Sequence, residues 1–221
     1  MSETKHRISL SGTGALLLDV AGAEFDLQLQ TRLVSLARSL REEQSQFRVL
    51  EVVPGVNNLL LVFDPLAMAL DDAYRLLTTR WTESRATLDA ASREFEIPVV
   101  YGGEDISKVA AGAHISEEEV IQRHAAARYV VACVGGYPGF PYLAGLPDAL
   151  KTPRRAVPRA RLDKGAVIIG GAQAGVMPCA GPSGWHVIGN TEVSLFSPDR
   201  HPPCLLRAGD RIRFLVSRQR P

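Results

Sequence analysis

One short segment of the chain combines aromatic side chains with residues that restrict the backbone. Residues 135–147 read GGYPGFPYLAGLP, so three prolines and four glycines occur in thirteen positions. This density excludes a regular helix or a central strand and predicts a rigid loop. Tyr137, Phe140 and Tyr142 would give that loop an aromatic wall. Composition leaves two interpretations open: the loop packs its own aromatic side chains, or it binds a ligand.

A strongly basic segment follows this loop. Residues 151–164, KTPRRAVPRARLDK, contain six basic residues and one acidic residue. Arg154 and Arg159 each follow a proline, which restricts the backbone beside them. Arginine can bind a carboxylate or phosphate through two parallel hydrogen bonds. Most charge runs are solvated surface, but the neighbouring aromatic loop favours an anionic ligand for one or two of these arginines.

His124 and Gln173 are further candidates for chemistry. His124 lies one turn after Val120 on a predicted helix and is expected to point inward. A lone inward histidine is more often a core residue than a catalyst. Gln173 lies among several glycines, where a backbone can approach a ligand closely.

Two other positions have simpler interpretations. Glu104 and Asp105 follow a Gly-Gly turn and precede a predicted helix, so helix capping is favoured over a role as base or cation ligand. Ser183 lies in GPSGW, where Trp185 stands in place of the glycine that a GxSxG nucleophile needs, which excludes a hydrolase triad.

Common cofactor and metal motifs are absent from the sequence. There is no GxxxxGK[ST], no GxGxxG after a strand, no HExxH and no CxxC. The three cysteines, Cys133, Cys179 and Cys204, are an odd number without metal-ligand spacing. We therefore predict no metal site and no disulfide scaffold, in keeping with a reducing compartment.

The overall charge argues against polyanionic partners. The 25 basic and 24 acidic residues give a net charge of +1, which disfavours a nucleic-acid-binding or polybasic membrane protein. The longest apolar run is the six residues from Tyr129 to Val134, too short to span a bilayer. The start, MSETKHRIS, lacks the apolar core of a signal peptide, so we predict a cytoplasmic location.

The two halves of the chain differ in composition. Residues 1–100 hold 4 of the 19 glycines, 3 of the 14 prolines and a charge of 10 − 14 = −4. Residues 101–221 hold 15 glycines, 11 prolines and a charge of 15 − 10 = +5. Because glycine and proline mark turns, we predict an α+β lobe over 1–100 and a mostly β barrel or sandwich over 101–221.

Hydrophobic periodicity places the elements of both halves. In the first half it predicts helices over Leu29–Leu40 and Leu66–Trp81, with strands over Ala15–Val20, Arg48–Val53 and Leu59–Phe63, and an apolar stretch at Ile97–Val100. In the second half Ser116-Glu-Glu-Glu119 is a capping box that starts a helix. Short strands are predicted over Ala166–Ile169, Trp185–Ile188, Glu192–Phe196 and Arg211–Val216.

Seven ordered blocks of the sequence resemble those of one known family. They are YGGED at Tyr101, the SxEEVI helix ending at His124, PGFPYLAGLP from Pro138, TPRRAVPRAR from Thr152, GGAQAGVMP from Gly170, GWHVIGNT from Gly184 and LRAGDRIRF from Leu206. Through these blocks the chain resembles the KipI family, also called the B subunit of bacterial ATP-dependent 5-oxoprolinase and allophanate hydrolase subunit 1. It departs from the family pattern at Gly136, Ala174, Ser183 and Asn190.

The resemblance implies a fold and an activity. It implies a small α+β N-terminal lobe followed by a cyclophilin-like β-barrel domain. It also implies a complex with a KipA-type C subunit and a LamB/YcsF-type A subunit that opens 5-oxoproline to glutamate using ATP, with Mg²⁺ expected beside the ATP. The isolated chain is then expected to be inactive. Two alternatives stay open: a regulatory protein that inhibits a sensor histidine kinase, and a subunit for hydrolysis of allophanate or another urea derivative.

The family pattern falls on the candidate residues, and we assign a hypothetical role to each of them. Arg154 and Arg159 would bind a small anionic substrate, and His124 would transfer a proton or orient a group. Gln173 would hydrogen-bond the substrate amide. Pocket walls would come from Phe140, Tyr142 and Trp185. Replacing either arginine with alanine is expected to abolish activity and leave folding intact.

Overall fold

The computed structural model describes residues 6–20, 25–86 and 92–217. The chain divides into two compact units, residues 1–91 and residues 92–221. Within the described ranges, no helix has both the length and the apolar character needed to cross a membrane.

The first unit is an antiparallel four-stranded sheet with two helices, which confirms the predicted α+β lobe. Its elements are β1, Arg7–Leu10; β2, Ala15–Asp19; α1, Leu27–Glu42; β3, Val49–Pro54; β4, Asn58–Phe63; and α2, Leu70–Glu83. The strand order is β1-β2-β4-β3. Alternate residues of β4, including Leu59 and Leu61, are buried in one core with Leu33 and Leu36 of α1 and Leu77 of α2. Apolar side chains that recur every second residue in the strands and about every 3.6 residues in the helices therefore pack in a single hydrophobic core.

The two helices of this unit begin differently. The Asp26 carboxylate accepts the N–H of Leu29 at 3.0 Å and caps α1. The predicted start of the second helix near Leu66 is wrong, because α2 begins at Leu70. The Asp64 carboxylate accepts the N–H of Leu66 at 2.9 Å and closes a separate turn before the helix.

The second unit contains a closed β-barrel. Its elements are β5, Glu94–Tyr101; α3, Ile106–Ala113; α4, Glu117–Ala126; β6, Tyr129–Val134; β7, Pro141–Ala144; a 3₁₀ helix, Asp148–Leu150; β8, Arg159–Leu162; β9, Ala166–Gly170; β10, Gln173–Val176; β11, Gly181–Ser183; β12, His186–Asn190; and β13, Arg211–Val216. The barrel order is β10-β7-β6-β13-β5-β12-β9, and β8 pairs with β11 in a separate two-stranded sheet. The predicted β-barrel domain is confirmed.

Local patterns account for several of these elements. The Ser116 hydroxyl accepts the N–H of Glu119 at 3.1 Å, so the capping box starts α4 as predicted. The predicted strand Arg211–Val216 is β13, in which Ile212 and Phe214 are buried in the barrel core.

Three further predictions differ from the structure. The predicted exclusion of a central strand from residues 135–147 is wrong, since Pro141–Ala144 is β7 and lies between β6 and β10 in the barrel. Its proline is the first residue of the strand, a position that proline tolerates.

The unit boundary follows residue 91, earlier than the predicted boundary after residue 100, because β5 is a barrel strand that pairs in parallel with β13. Residues 192–196 form no strand apart from a single bridge between Phe196 and Cys204. The Leu195 carbonyl accepts the N–H of Leu205 at 2.8 Å, so this segment pairs with a nearby loop.

Strand β9 is buried on both faces and separates two apolar clusters. Val167 and Ile169 belong to the barrel core. Ala166 and Ile168 belong to a second cluster that includes Phe140 and Trp185. Since alternate residues of a strand point to opposite faces, this second cluster lies on the outer face of the barrel.

Candidate functional site

Phe140, Tyr142 and Trp185 meet on the outer face of the barrel and form what we call the aromatic wall. The Phe140 ring centre lies 4.9 Å from that of Tyr142 and 5.8 Å from that of Trp185, and the Tyr142 and Trp185 centres are 5.9 Å apart. All three contacts are edge-to-face, the arrangement that aromatic quadrupoles favour. The structure thus brings together the three aromatic residues named from the sequence.

Two glycines make room for these rings. A Cβ atom at Gly170 would lie 2.6 Å from Cγ of Trp185, and one at Gly175 would lie 2.8 Å from Cζ of Phe140. The rings therefore pack directly on the backbone of β9 and β10. The sequence predicts that a ligand can approach the backbone of this glycine-rich segment, and at these two positions the close neighbour is an aromatic ring.

The segment from residue 151 to residue 158, here called the arginine loop, is held by backbone contacts on both sides of Arg154. Nε2 of His186 donates to the carbonyl oxygen of Pro153 at 2.9 Å. The backbone N–H of Arg155 donates to the carbonyl oxygen of Gly184 at 2.8 Å. Both partners flank Trp185 in sequence, so the loop lies beside the aromatic wall.

Asp105 is a buried carboxylate on which three segments converge. Arg159 donates to its two oxygens from Nη1 at 2.7 Å and from Nη2 at 2.9 Å. Arg155 Nη1 donates at 3.0 Å and the backbone N–H of Val187 at 2.8 Å. Burial alone would raise the pKa of Asp105, but these hydrogen bonds and the two guanidinium charges outweigh it and hold the pKa below its usual range.

This arrangement replaces the capping role predicted for Asp105. The residue stands at the N-cap position of α3, yet its side chain makes no capping hydrogen bond. Arg155 and Arg159, which lie 50 and 54 residues further along the chain, provide charge-assisted partners instead. Such hydrogen bonds are stronger than those to a neutral helix N–H. Sequence reasoning missed Asp105 and Arg155 as site residues because no local pattern indicates partners so distant in sequence.

The two predicted anion-binding arginines have different surroundings. Arg159 directs two N–H groups to Asp105 and a third, Nε, to Glu104 at 2.9 Å. The hydrogen bond to Asp105 is the main reason that the pKa of Arg159 is raised. Arg154 is exposed, and its guanidinium carbon lies 5.8 Å from the ring centre of Trp185. Among the described residues, no carboxylate forms an ion pair with Arg154.

Gln173 places a hydrogen-bond donor on the same face as the aromatic wall. It pairs with Gly170 across β10 and β9, and directly opposed residues of an antiparallel pair share a face. That face is the one on which Trp185 packs against Gly170. Nε2 of Gln173 is buried and has no hydrogen-bond partner within the described residues. A ligand oxygen could satisfy this donor.

His124 lies in the barrel core, where the structure does not bring it to the aromatic wall. Its side chain is fully buried, its Nδ1 lies 2.8 Å from the Tyr101 hydroxyl, and its ring stacks on Phe214 with 4.6 Å between ring centres. Nε2 is buried without a partner in the described part of the chain. Burial lowers the pKa of His124 to about 3, so the imidazole is neutral near pH 7.

The outer face of the barrel therefore combines three chemical features. Arg154 supplies a cation, the aromatic wall supplies flat apolar surface, and Gln173 supplies an amide donor. This set suits a small anion that carries a planar amide. Across residues 6–20, 25–86 and 92–217, no group of three His, Cys, Asp or Glu side chains is arranged to hold a metal ion.

Comparison with known proteins gives a consistent result across nearly the whole chain. Residues 6–206 match the family described as carboxyltransferase domain, subdomain C and D. The 5-oxoprolinase B subunit of Escherichia coli O157:H7 is 43% identical over 217 residues, which cover 96% of this chain and 97% of that protein. The 5-oxoprolinase B subunit of Haemophilus influenzae (strain ATCC 51907 / DSM 11121 / KW20 / Rd) is 42% identical over 193 residues, or 86% of this chain and 88% of that protein.

Solved structures share the fold. The crystal structure of TTHA0988 superposes with a TM-score of 0.81 at 35% identity, covering 93% of this chain and 40% of the TTHA0988 chain. The K. lactis urea amidolyase superposes with a TM-score of 0.78 over 96% of this chain and 15% of that protein, at 18% identity. Identity at that level shows a common fold and says nothing about substrate.

Proposed function

The chain belongs to the family of the carboxyltransferase domain, subdomain C and D, and from this premise we propose that it is the B subunit of an ATP-dependent 5-oxoprolinase. The observation that carries the proposal is the 43% identity to the Escherichia coli B subunit, spread over 96% of this chain. The aligned region extends over both units of the fold. The reaction proposed is the hydrolysis of 5-oxoproline to glutamate.

The proposed complex has two further components. They are a KipA-type C subunit and a LamB/YcsF-type A subunit, with ATP as co-substrate, Mg²⁺ beside it and the cytoplasm as its location. ATP supplies the phosphoryl group that turns the oxygen of a stable lactam into a leaving group. We assign neither nucleotide nor metal ligands to this chain, and the steps below concern its own residues.

Arg154 and the aromatic wall are proposed to bind the substrate. The exposed guanidinium of Arg154 would bind the substrate carboxylate, and the partly exposed Tyr142 would contact the five-membered ring. Arg159 keeps two N–H groups that Asp105 and Glu104 do not use, and we propose that it supports the same anion.

Gln173 and His124 are proposed to act in different ways. The buried Nε2 of Gln173 would donate to the lactam oxygen, a contact that also removes an unsatisfied donor. His124 is neutral and buried, so we propose that it orients the Tyr101 hydroxyl and does not transfer a proton. Neither residue requires a change of charge during turnover.

The proposal is tested by reconstitution. The chain is co-expressed with its KipA-type and LamB-type partners, and the purified complex is assayed for ATP hydrolysis and glutamate formation with and without 5-oxoproline. We expect ATP hydrolysis that depends on 5-oxoproline and on the presence of this chain. A complex that instead hydrolyses allophanate, or a chain that instead inhibits autophosphorylation of a sensor histidine kinase, would refute the proposal.

A further inference from the structure

We infer that Asp105 is the positioning residue that makes this site selective for a monoanion. It holds two of the three arginines and, together with Glu104, balances their charges, which leaves the charge of Arg154 for the ligand. The inference rests on the proposed function for the identity of the ligand, 5-oxoproline, but the selectivity itself concerns charge and is measured without turnover.

The arginines of residues 154–159 outnumber the carboxylates that pair with them. Two arginines, Arg155 and Arg159, lie next to the carboxylates of Glu104 and Asp105, and Arg154 precedes Arg155 in the arginine loop. Arg155 and Arg159 bind Asp105, and Arg159 also binds Glu104. One positive charge is therefore left uncompensated in the cluster, and it belongs to Arg154. A single cation beside an aromatic face matches a monocarboxylate better than a dianion.

Asp105 also fixes the position of the arginine loop. The Asp105 carboxylate joins Arg155 of the arginine loop, Arg159 at the start of β8 and Val187 of β12. The backbone of Arg155 is bound to Gly184, next to Trp185. Loss of the carboxylate would free two guanidinium groups beside Arg154 and remove a contact between the loop and β12. Asp105 thus acts on the ligand through the arginines, without touching it.

The test compares the affinities of two probes, 5-oxoproline and inorganic phosphate, for the full chain. Binding is measured by calorimetry at a mildly alkaline pH, where phosphate is mostly dianionic. In Asp105→Asn we expect 5-oxoproline to bind about tenfold more weakly, because the arginine loop loses its contact with β12. The preference should also shift towards phosphate, because the cluster gains a positive charge. Arg155→Gln removes a positive charge and should shift the preference towards 5-oxoproline. This second variant also serves if Asp105→Asn does not fold.

Asp163→Asn is the matched control. Asp163 is 82% exposed and lies 3.4 Å from Arg161, outside the Asp105 cluster, so the same change of charge there should leave both affinities unchanged. A merely structural role of Asp105 would lower the fraction of binding-competent protein and leave the preference between probes unaltered.

The outcomes separate the inference from the proposed function. The inference is overturned if Asp105→Asn or Arg155→Gln leaves the preference between 5-oxoproline and phosphate unchanged. It is also overturned if Asp163→Asn has an equal effect, or if the wild-type chain binds neither probe. If the expected shifts occur and the reconstituted complex shows no ATP hydrolysis with 5-oxoproline, the monoanion site stands and the proposed function falls.

Discussion

Replacement of Arg159 with alanine should destabilise the second unit by about 2–3 kcal/mol. The variant loses two charge-assisted hydrogen bonds to Asp105, a residue that is 3% exposed, and an ion pair with Glu104. The Glu104 carboxylate is 57% exposed, so that pair contributes little. Asp105 keeps its bonds from Arg155 and Val187, which places the cost below that of leaving a buried carboxylate with no partner.

Arg154→Ala is the control for this prediction. Arg154 is exposed and contacts the face of Trp185, so its loss should change stability by less than about 0.5 kcal/mol. The expectation from sequence that both alanine variants leave folding intact is therefore revised for Arg159. If the free energies of unfolding of the two variants differ by less than about 0.5 kcal/mol, which is the resolution of such comparisons, the Asp105 ion pairs do not stabilise the second unit as predicted.

The assay must report on the second unit alone. The chain has two tryptophans, Trp81 in the first unit and Trp185 in the second. In a Trp81→Phe background, the fluorescence of Trp185 follows urea unfolding of the barrel without a signal from the first unit. This separation matters because a single unfolding free energy is not defined for two units that unfold independently.

Three further predictions concern single residues. Burial lowers the pKa of His124 from 6.5 to about 3, so the unfolded chain takes up the proton first and the free energy of unfolding falls as the pH drops from about 6.5 towards 3. In urea unfolding across this range, the stability of His124→Phe should depend less steeply on pH than that of the wild type. An unchanged slope would contradict the assignment. Gln173→Met removes a buried unsatisfied donor, so stability should be equal or higher by up to about 1 kcal/mol, whereas KM for 5-oxoproline in the complex should rise; a lower stability would argue against this. Gly170→Ala places a Cβ 2.6 Å from Cγ of Trp185 and should cost about 1–3 kcal/mol, with a shift of Trp185 emission; unchanged stability and emission would show that the ring is not held there.

Features that depend on nearby residues can be predicted from the sequence. The capping box at Ser116 and the alternation in Arg211–Val216 each occupy a few consecutive positions, and both predictions are confirmed. The aromatic residues of 135–147 can be identified in the same way, but the strand Pro141–Ala144 within that segment cannot, because its pairing depends on β6 and β10.

Features that depend on distant partners cannot be predicted in this way. Asp105 resembles a helix cap when only its neighbours are considered, and its arginine partners lie 50 and 54 residues away. Ile97–Val100 resembles the end of the first lobe because its parallel partner strand lies near the other end of the chain. Burial likewise determines the protonation state of His124. The helical period predicts that this side chain points inward, but it does not show how completely the side chain is buried.

The parallel pairing of β5 with β13 has a consequence for how the protein is made. Arg213 of β13 pairs with Glu96 of β5 across 117 residues of sequence, so a ribosome finishes β5 long before the strand that lies beside it. Until residues 211–216 emerge, β5 and β6 each present an unpaired edge to other nascent chains. Closure of the barrel is therefore a late event in biosynthesis, and a truncation before Arg211 would leave an open sheet prone to aggregation.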